Sequence, residues 1–234
     1  MRLVTLVILA FAFLCQGGLS QEATQILNLS GGKAIKDAAA YGIGHDIGSN
    51  LAQGGLSAED FSTDDLLAGI LDALNGKDLA VQPQQIQSAM ELLGQKVQKR
   101  MAAKAENNLA ASKKYLEQNK QRQGVASTDS GLQYEVLKSG NGASPTLQST
   151  VTVHYEGKLI SGKIFDSSMQ RGTPATFGVS QVIPGWTEAL LRMKVGDKWK
   201  LFIPPELGYG PNGAGGDIGP NEALVFEVEL IEVK

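Results

Sequence analysis

The sequence predicts an α+β protein in two parts. An all-α N-terminal module with one long helix comes first, followed by a domain in which an antiparallel sheet wraps around one short helix. Three observations predict it. The composition shifts near residue 124: Ala, Gln, Lys, Leu and Asn dominate before it, while both tryptophans and seven of the eight prolines come after it. Before that point apolar residues recur at helical spacing, and after it they alternate at every second position. The shift reads as a domain boundary, with 21–123 helical, 124–130 a hinge and 131–234 the second domain.

Residues 1–20 have the grammar of a secretory signal peptide. Arg2 precedes the apolar run Leu3 to Leu14, and the small residues Gly18 and Ser20 lead to a cleavage point at Gln21. The run is shorter than the roughly 20 apolar residues a membrane-spanning helix needs. Lipidation of Cys15 is the alternative, but bulky Phe13 and Leu14 stand where that signal wants small residues. Cys15 is the single cysteine, so a cleaved chain would carry neither a disulfide nor a thiol nucleophile. The 21 basic and 24 acidic residues leave no electrostatic footprint for nucleic acid by net charge. With only His45 and His154, far apart in sequence, neither a metal site nor a cofactor is expected.

In the N-terminal part, Ile35, Ala39, Ile43, Ile47 and Leu51 form a four-residue stripe over 33–53, on a segment carrying Gly42, Gly44 and Gly48. Glycine weakens a helix, so either a partner helix approaches closely at Gly44 and Gly48 or the helix is irregular. Ser57 and the acids Glu59, Asp60, Asp64 and Asp65 favour a helix start by complementing the macrodipole. The apolar face Leu66, Leu67, Ile70, Leu71, Leu74 then runs to a stop at Asn75-Gly76. Pro83 opens a long helix over about 83–122, interrupted only by Gly94 and roughly 60 Å long at 1.5 Å per residue. Ile86, Met90, Leu93, Val97 and Met101 supply a stripe in its first half. Beyond Met101 the apolar positions are mostly alanine, which reads as a solvated strut. Its eight basic residues between Lys96 and Arg122, against two acidic ones, read as a solvated face or as a surface for an anionic partner. Three helices of which two are short make a thin core, and pairing with a second copy is the remedy; the module is read as a homodimerisation domain.

From Gln133 the pattern becomes β. Tyr134 to Leu137 is a short strand candidate, Val151 to Tyr155 alternates, and Ser161-Gly162 turns into Lys163-Ile164-Phe165. Gln181 to Leu190 sets branched aliphatics and Trp186 astride a Pro-Gly turn that opens a short helix. Trp186 there is either a core residue or the floor of a cleft for an apolar ring. Lys198 to Ile203 is a strand stopped by Pro204-Pro205, and Leu224 to Leu230 closes the domain.

Val151-Thr152-Val153-His154-Tyr155-Glu156-Gly157, Phe165-Asp166-Ser167-Ser168, Val182-Ile183-Pro184-Gly185-Trp186, Gly208-Tyr209-Gly210 and Leu224-Val225-Phe226 stand in the order and approximate spacing of the FKBP-type peptidyl-prolyl cis-trans isomerases, which 131–234 resembles. The helical half, with Tyr41-Gly42-Ile43-Gly44 and one long helix, is similar to the macrophage infectivity potentiator (Mip) and FkpA-like branch, whose members are V-shaped dimers of exported bacterial origin. The resemblance implies a pocket floored by Trp186 and walled by Tyr155, Phe165, Phe177, Val182, Ile183 and Phe226. Asp166, Tyr209 and the Ile183 backbone N–H would be its polar contacts, with Arg171 beside Asp166 and Ile218 in the adjoining loop. Asp166 is read as a polar contact to the rotating carbonyl region through Tyr155 or Arg171, or as a structural ion pair with Arg171. The family often has an aromatic where this chain has Ala175, which would open one side of the pocket; Ala214 and Asp217 also depart from its better-known members.

The implied function is isomerisation of X-Pro bonds in exported proteins, with proline-containing unfolded chains as substrates and FK506- or rapamycin-like macrolides as inhibitors. The implied location is the periplasm, the outer membrane or the outside of the cell. A dimeric client-holding chaperone, host-facing in some relatives, is the alternative.

Overall fold

The computed structural model describes residues 27–28 and 34–234, so the expected leader at 1–20, with Cys15, lies outside the described residues. The chain divides into two compact units, one ending at Ile47 and one starting at Gly48. In the first, strand β1 (Leu27–Asn28) pairs antiparallel with β2 (Ala34–Ile35). Helix α1 (Ala38–Gln53) starts where the Asp37 carboxylate accepts the Ala40 N–H at 3.0 Å. Ile35 therefore belongs to a strand and not to the helical stripe expected over 33–53. The helix is continuous through its glycines, and a Cβ at Gly42, Gly44 or Gly48 would meet nothing within 4 Å.

In the second unit a short 3-10 turn (Ala58–Asp60) precedes α2 (Thr63–Leu74). Ser62, and not Ser57, caps α2, its hydroxyl accepting the Asp65 N–H at 3.2 Å. Helix α3 (Pro83–Asn119) has Pro at its first position, where the missing N–H costs nothing. Arg100 on α3 clamps the Asp60 carboxylate with two bonds of 2.7 Å and also reaches the Gly55 carbonyl at 2.5 Å. Arg100, backed by the Ser57 N–H, holds the Asp60 carboxyl far below the usual carboxylate range.

The second half of α3 is not a solvated strut. Asn108, Ser112, Tyr115 and Asn119 form a seam against the C-terminal domain, with Ser112 and Asn119 buried. Tyr115 lies 6.3 Å from the Phe202 ring, and Asn119 donates to Gln133 at 2.8 Å. Counting apolar residues passes over this seam because, apart from the Tyr115–Phe202 ring contact, it is made of hydrogen bonds. Similarly, the stretch expected to be a hinge carries β3 (Val125–Ser127), paired with β4 (Gln133–Lys138).

The remaining strands are β5 (Thr150–Leu159), β6 (Ile164–Ser167), β7 (Ala175–Gly178), β8 (Lys198–Ile203) and β9 (Leu224–Val233), with α4 (Pro184–Arg192) between β7 and β8. They form one antiparallel sheet in the order β3-β4-β8-β9-β5-β6, and β7 also pairs with β5. On β5 the inward positions Val151, Val153, Tyr155 and Leu159 alternate with outward polar ones, the period-two signature of a half-buried strand. These side chains close over Trp186, Ala189, Leu190 and Met193, so the sheet wraps α4 as expected. Gly185 makes the contact possible: a Cβ there would come within 2.7 Å of Ile203.

Candidate active site

Pro184 sets the start of α4, and the Ile183 carbonyl accepts the N–H groups of Trp186 at 2.9 Å and Thr187 at 3.1 Å. The Thr187 hydroxyl donates to the Val179 carbonyl at 2.7 Å, tying that first turn to the preceding 3-10 segment (Val179–Gln181). Trp186 is thereby aimed inward and only 4% exposed. Three rings meet it edge to face: Tyr155 at 5.2 Å, Phe226 at 5.3 Å and Phe177 at 5.8 Å. Such edge contacts are each worth about 0.5–1.5 kcal/mol beyond the area they bury. Phe165 in turn meets Phe226 at 5.5 Å and 84°.

The approach of Phe165 and Phe226 depends on Gly157 of β5. A Cβ at that position would lie 2.6 Å from the Phe226 ring and 2.7 Å from Phe165. The glycine in Tyr155-Glu156-Gly157 is thus a packing requirement of the aromatic wall.

The rings enclose a cavity of about 290 Å³ lined by Tyr155, Phe165, Asp166, Phe177, Gln181, Val182, Ile183, Trp186, Tyr209 and Phe226. Its polar side is a triad. The Tyr155 hydroxyl donates to Asp166, Arg171 donates to the other Asp166 oxygen, and Arg171 also donates to the Tyr155 hydroxyl at 2.9 Å. Asp166 therefore makes both contacts weighed from the sequence: a hydrogen bond to Tyr155 and an ion pair with Arg171. Burial would raise its pKa, but Tyr155 and Arg171 outweigh that and hold it below the ordinary carboxylate value. Burial, then the bond to Asp166, pushes the Tyr155 phenol up; burial, then the Asp166 charge, does the same to Tyr209. Among the described residues the Ile183 N–H and the Tyr209 hydroxyl have no hydrogen-bond acceptor, so both donors are free to meet a ligand.

Nine of the eleven residues named from the sequence line this cavity. Arg171 stands behind it, touching Asp166 and Tyr155 and lying 5.6 Å from the Tyr155 ring centroid. Ile218 is 8% exposed within the core, its backbone paired with Ala214 in the β8–β9 loop. Gln181 was not anticipated; a polar residue immediately before Val182 was the available signal. Ala175 pairs with Val153 and leaves Phe177 as the aromatic wall contributed by β7.

The cavity offers an aromatic shape, low polarity and two free donors. Comparison with known proteins agrees. Residues 142–231 match the family described as FKBP-type peptidyl-prolyl cis-trans isomerase, and 36–136 match the domain amino terminal to it. The chain is 47% identical over 199 residues to the FKBP-type 22 kDa peptidyl-prolyl cis-trans isomerase of Escherichia coli, covering 85% of this chain and 96% of that protein. It is 40% identical to the outer membrane protein MIP of Legionella longbeachae over 100% of this chain and 98% of that one. The crystal structure of FkpA from Escherichia coli superposes with a TM-score of 0.62 at 38% identity, covering 86% of this chain and 99% of that one. The aromatic cavity, the sheet wrapped around α4 and these matches together place the chain in the Mip and FkpA-like group of FKBP-type peptidyl-prolyl cis-trans isomerases.

Proposed function

We propose that the cavity over Trp186 receives the proline ring of an X-Pro segment and that the residues around it stabilise the twisted amide. Rotation about a peptide bond is opposed by about 18–20 kcal/mol of lost resonance, and the uncatalysed X-Pro step takes tens to hundreds of seconds. No covalent bond need break. The ring packs on Trp186 between Tyr155 and Phe226, while Phe165 and Val182 exclude water. Low polarity disfavours the charge-separated resonance form of the amide and so eases twisting. The Ile183 N–H and the Tyr209 hydroxyl hold the flanking carbonyls, and Asp166, fixed by Tyr155 and Arg171, faces the rotating carbonyl region. Binding the twisted geometry better than either planar one supplies the acceleration.

The observation that carries this reading is the match in size and character between a 290 Å³ aromatic cavity and a five-membered ring with its flanking amides. The test is cis-to-trans conversion of a short X-Pro peptide. Folded protein that leaves the rate at background would overturn the reading. Macrolides of the FK506 and rapamycin type occupy the same cavity in this view and compete with the peptide.

The substrates are proline-containing, unfolded or partly folded exported proteins, and the chain acts in the periplasm, at the outer membrane or outside the cell. The Legionella relative is named as an outer membrane protein, which supports that location. Among the described residues no helix is long and apolar enough to cross a membrane. The helical part up to residue 123 forms a homodimer: Leu67, Leu71, Leu74, Met90 and Leu92 present apolar side chains to solvent that a second copy would cover. A purely client-holding role is not favoured, because 142–231 match an isomerase domain.

A further inference from the structure

The seam on α3 meets one segment of the C-terminal domain most closely, the chain from Pro220 to Ala223 that closes the β8–β9 loop. Asn108 donates to the Pro220 carbonyl at 2.9 Å and to the Glu222 carboxylate at 3.3 Å. The Ser112 hydroxyl, 1% exposed, donates to the Asn221 carbonyl at 3.0 Å and accepts the Ala223 N–H at 2.8 Å. Asn221 returns a bond to the Ala105 carbonyl at 3.3 Å. Three residues spread over about two turns of one helix thus grip four consecutive residues.

The gripped segment is coupled to the pocket. The Asn221 N–H donates to the Gly210 carbonyl at 2.8 Å, closing the loop one residue after Tyr209. Asn221 is also the only non-glycine residue with positive φ, at 55°, among the described residues. Asparagine is among the few residues with a side chain that take up that left-handed conformation readily, and here it stands where both ends of the grip meet. Tyr209 itself is 39% exposed and makes no hydrogen bond among the described residues, so its place over the cavity rests on packing and on the backbone beside it.

We propose that Ser112 and Asn108 of α3 are positioning residues for isomerisation: through Asn221 they set the loop that carries Tyr209, making the long helix a structural part of the active site. This rests on the reading that Tyr209 meets the substrate. A polar seam suits the task, because hydrogen bonds specify one register of helix against loop where alanine surfaces would allow several. Neither residue faces the cavity.

The test is a double-mutant cycle on the full chain, with kcat and KM measured on an X-Pro peptide. Ser112→Ala and Asn108→Ala are each expected to lower kcat/KM by about three- to tenfold, and neither to add to the loss caused by Tyr209→Phe. Equal losses in the native and Tyr209→Phe backgrounds would mean a general structural effect and would overturn the proposal, as would no loss in either variant. Tyr209→Phe with unchanged kcat/KM would sink the underlying reading of Tyr209, and the proposal with it, and is distinguishable because it appears without any α3 substitution. If the buried Ser112→Ala variant does not fold, Asn108→Ala, at a part-buried position, carries the cycle alone.

Discussion

Trp186 lies at the bottom of the cavity and at the centre of the core, so its two roles can be separated only by substitution. Trp186→Leu keeps an apolar side chain over α4 and is expected to destabilise the domain by about 1–3 kcal/mol while weakening macrolide binding at least tenfold. Calorimetric unfolding beside a binding titration checks this, and unfolding without a separable binding defect would return Trp186 to a core role. Gly157→Ala drives a methyl group into Phe165 and Phe226 and should cost about 1–3 kcal/mol as overpacking, with a reshaped cavity and reduced kcat/KM. The pH profile follows from the triad. The Asp166 pKa lies below its ordinary 3.8, and the Tyr155 and Tyr209 phenols lie above their ordinary 10.0. A depressed carboxylate contributes stability above 3.8 that is lost as pH falls through its folded value. A raised phenol contributes stability below 10.0 that is lost as pH rises through its folded value. Neither window reaches neutrality, so kcat/KM should be flat from about pH 5 to 9, and a bell centred in that range would mean that another group takes part.

At the scale of elements, the contact between the 3-10 turn at Ala58–Asp60 and α3 is held by one buried carboxylate. Asp60 has no exposed side-chain area and faces Arg100 and Lys96 at 2.7 and 3.1 Å. Its folded pKa is lowered, so the clamp's contribution is fully present above the ordinary value of 3.8 and is lost as pH falls below it. Amide exchange in the segment 55–60 should therefore accelerate in acid before that of β5 and β9 does. Asp60→Asn should produce the same acceleration at neutral pH, and unchanged exchange in that variant would show that packing of Val97 and Met101 against Gly55 suffices.

For the molecule as a whole, the helical part exposes what a soluble monomer usually covers. Leu74 is 79% exposed, Leu92 67% and Met90 58%, while α1 and α2 contain no buried residue. A second copy that covered such side chains would remove them from water, which is the driving force the dimer reading invokes. Leu67→Glu with Leu71→Glu should convert a dimer to a monomer in sedimentation without moving the thermal transition of the sheet domain. Isomerisation of a short peptide should change less than twofold, because the cavity is built within one chain. A wild-type chain that sediments as a monomer at micromolar concentration would overturn the dimer reading.

The sequence by itself determined the α+β class, the long helix from Pro83, the strand alternation from Val151 to Tyr155 and most of the cavity lining. The first three are written in local pattern, a period of 3.6 or 2 and a Pro-Gly turn, and the lining in five motifs that resemble those of the FKBP-type isomerases. Tertiary structure alone decided that Ile218 turns into the core and that Gln181 joins the rim. It also decided that α3 beyond Met101 is a docked helix, whose contacts are made by Asn108, Ser112 and Asn119. Hydrophobic periodicity reports which faces avoid water. It is silent on a seam whose polar side chains can be covered because partners satisfy them, and for Asn108 and Ser112 those partners lie about a hundred residues away in the chain.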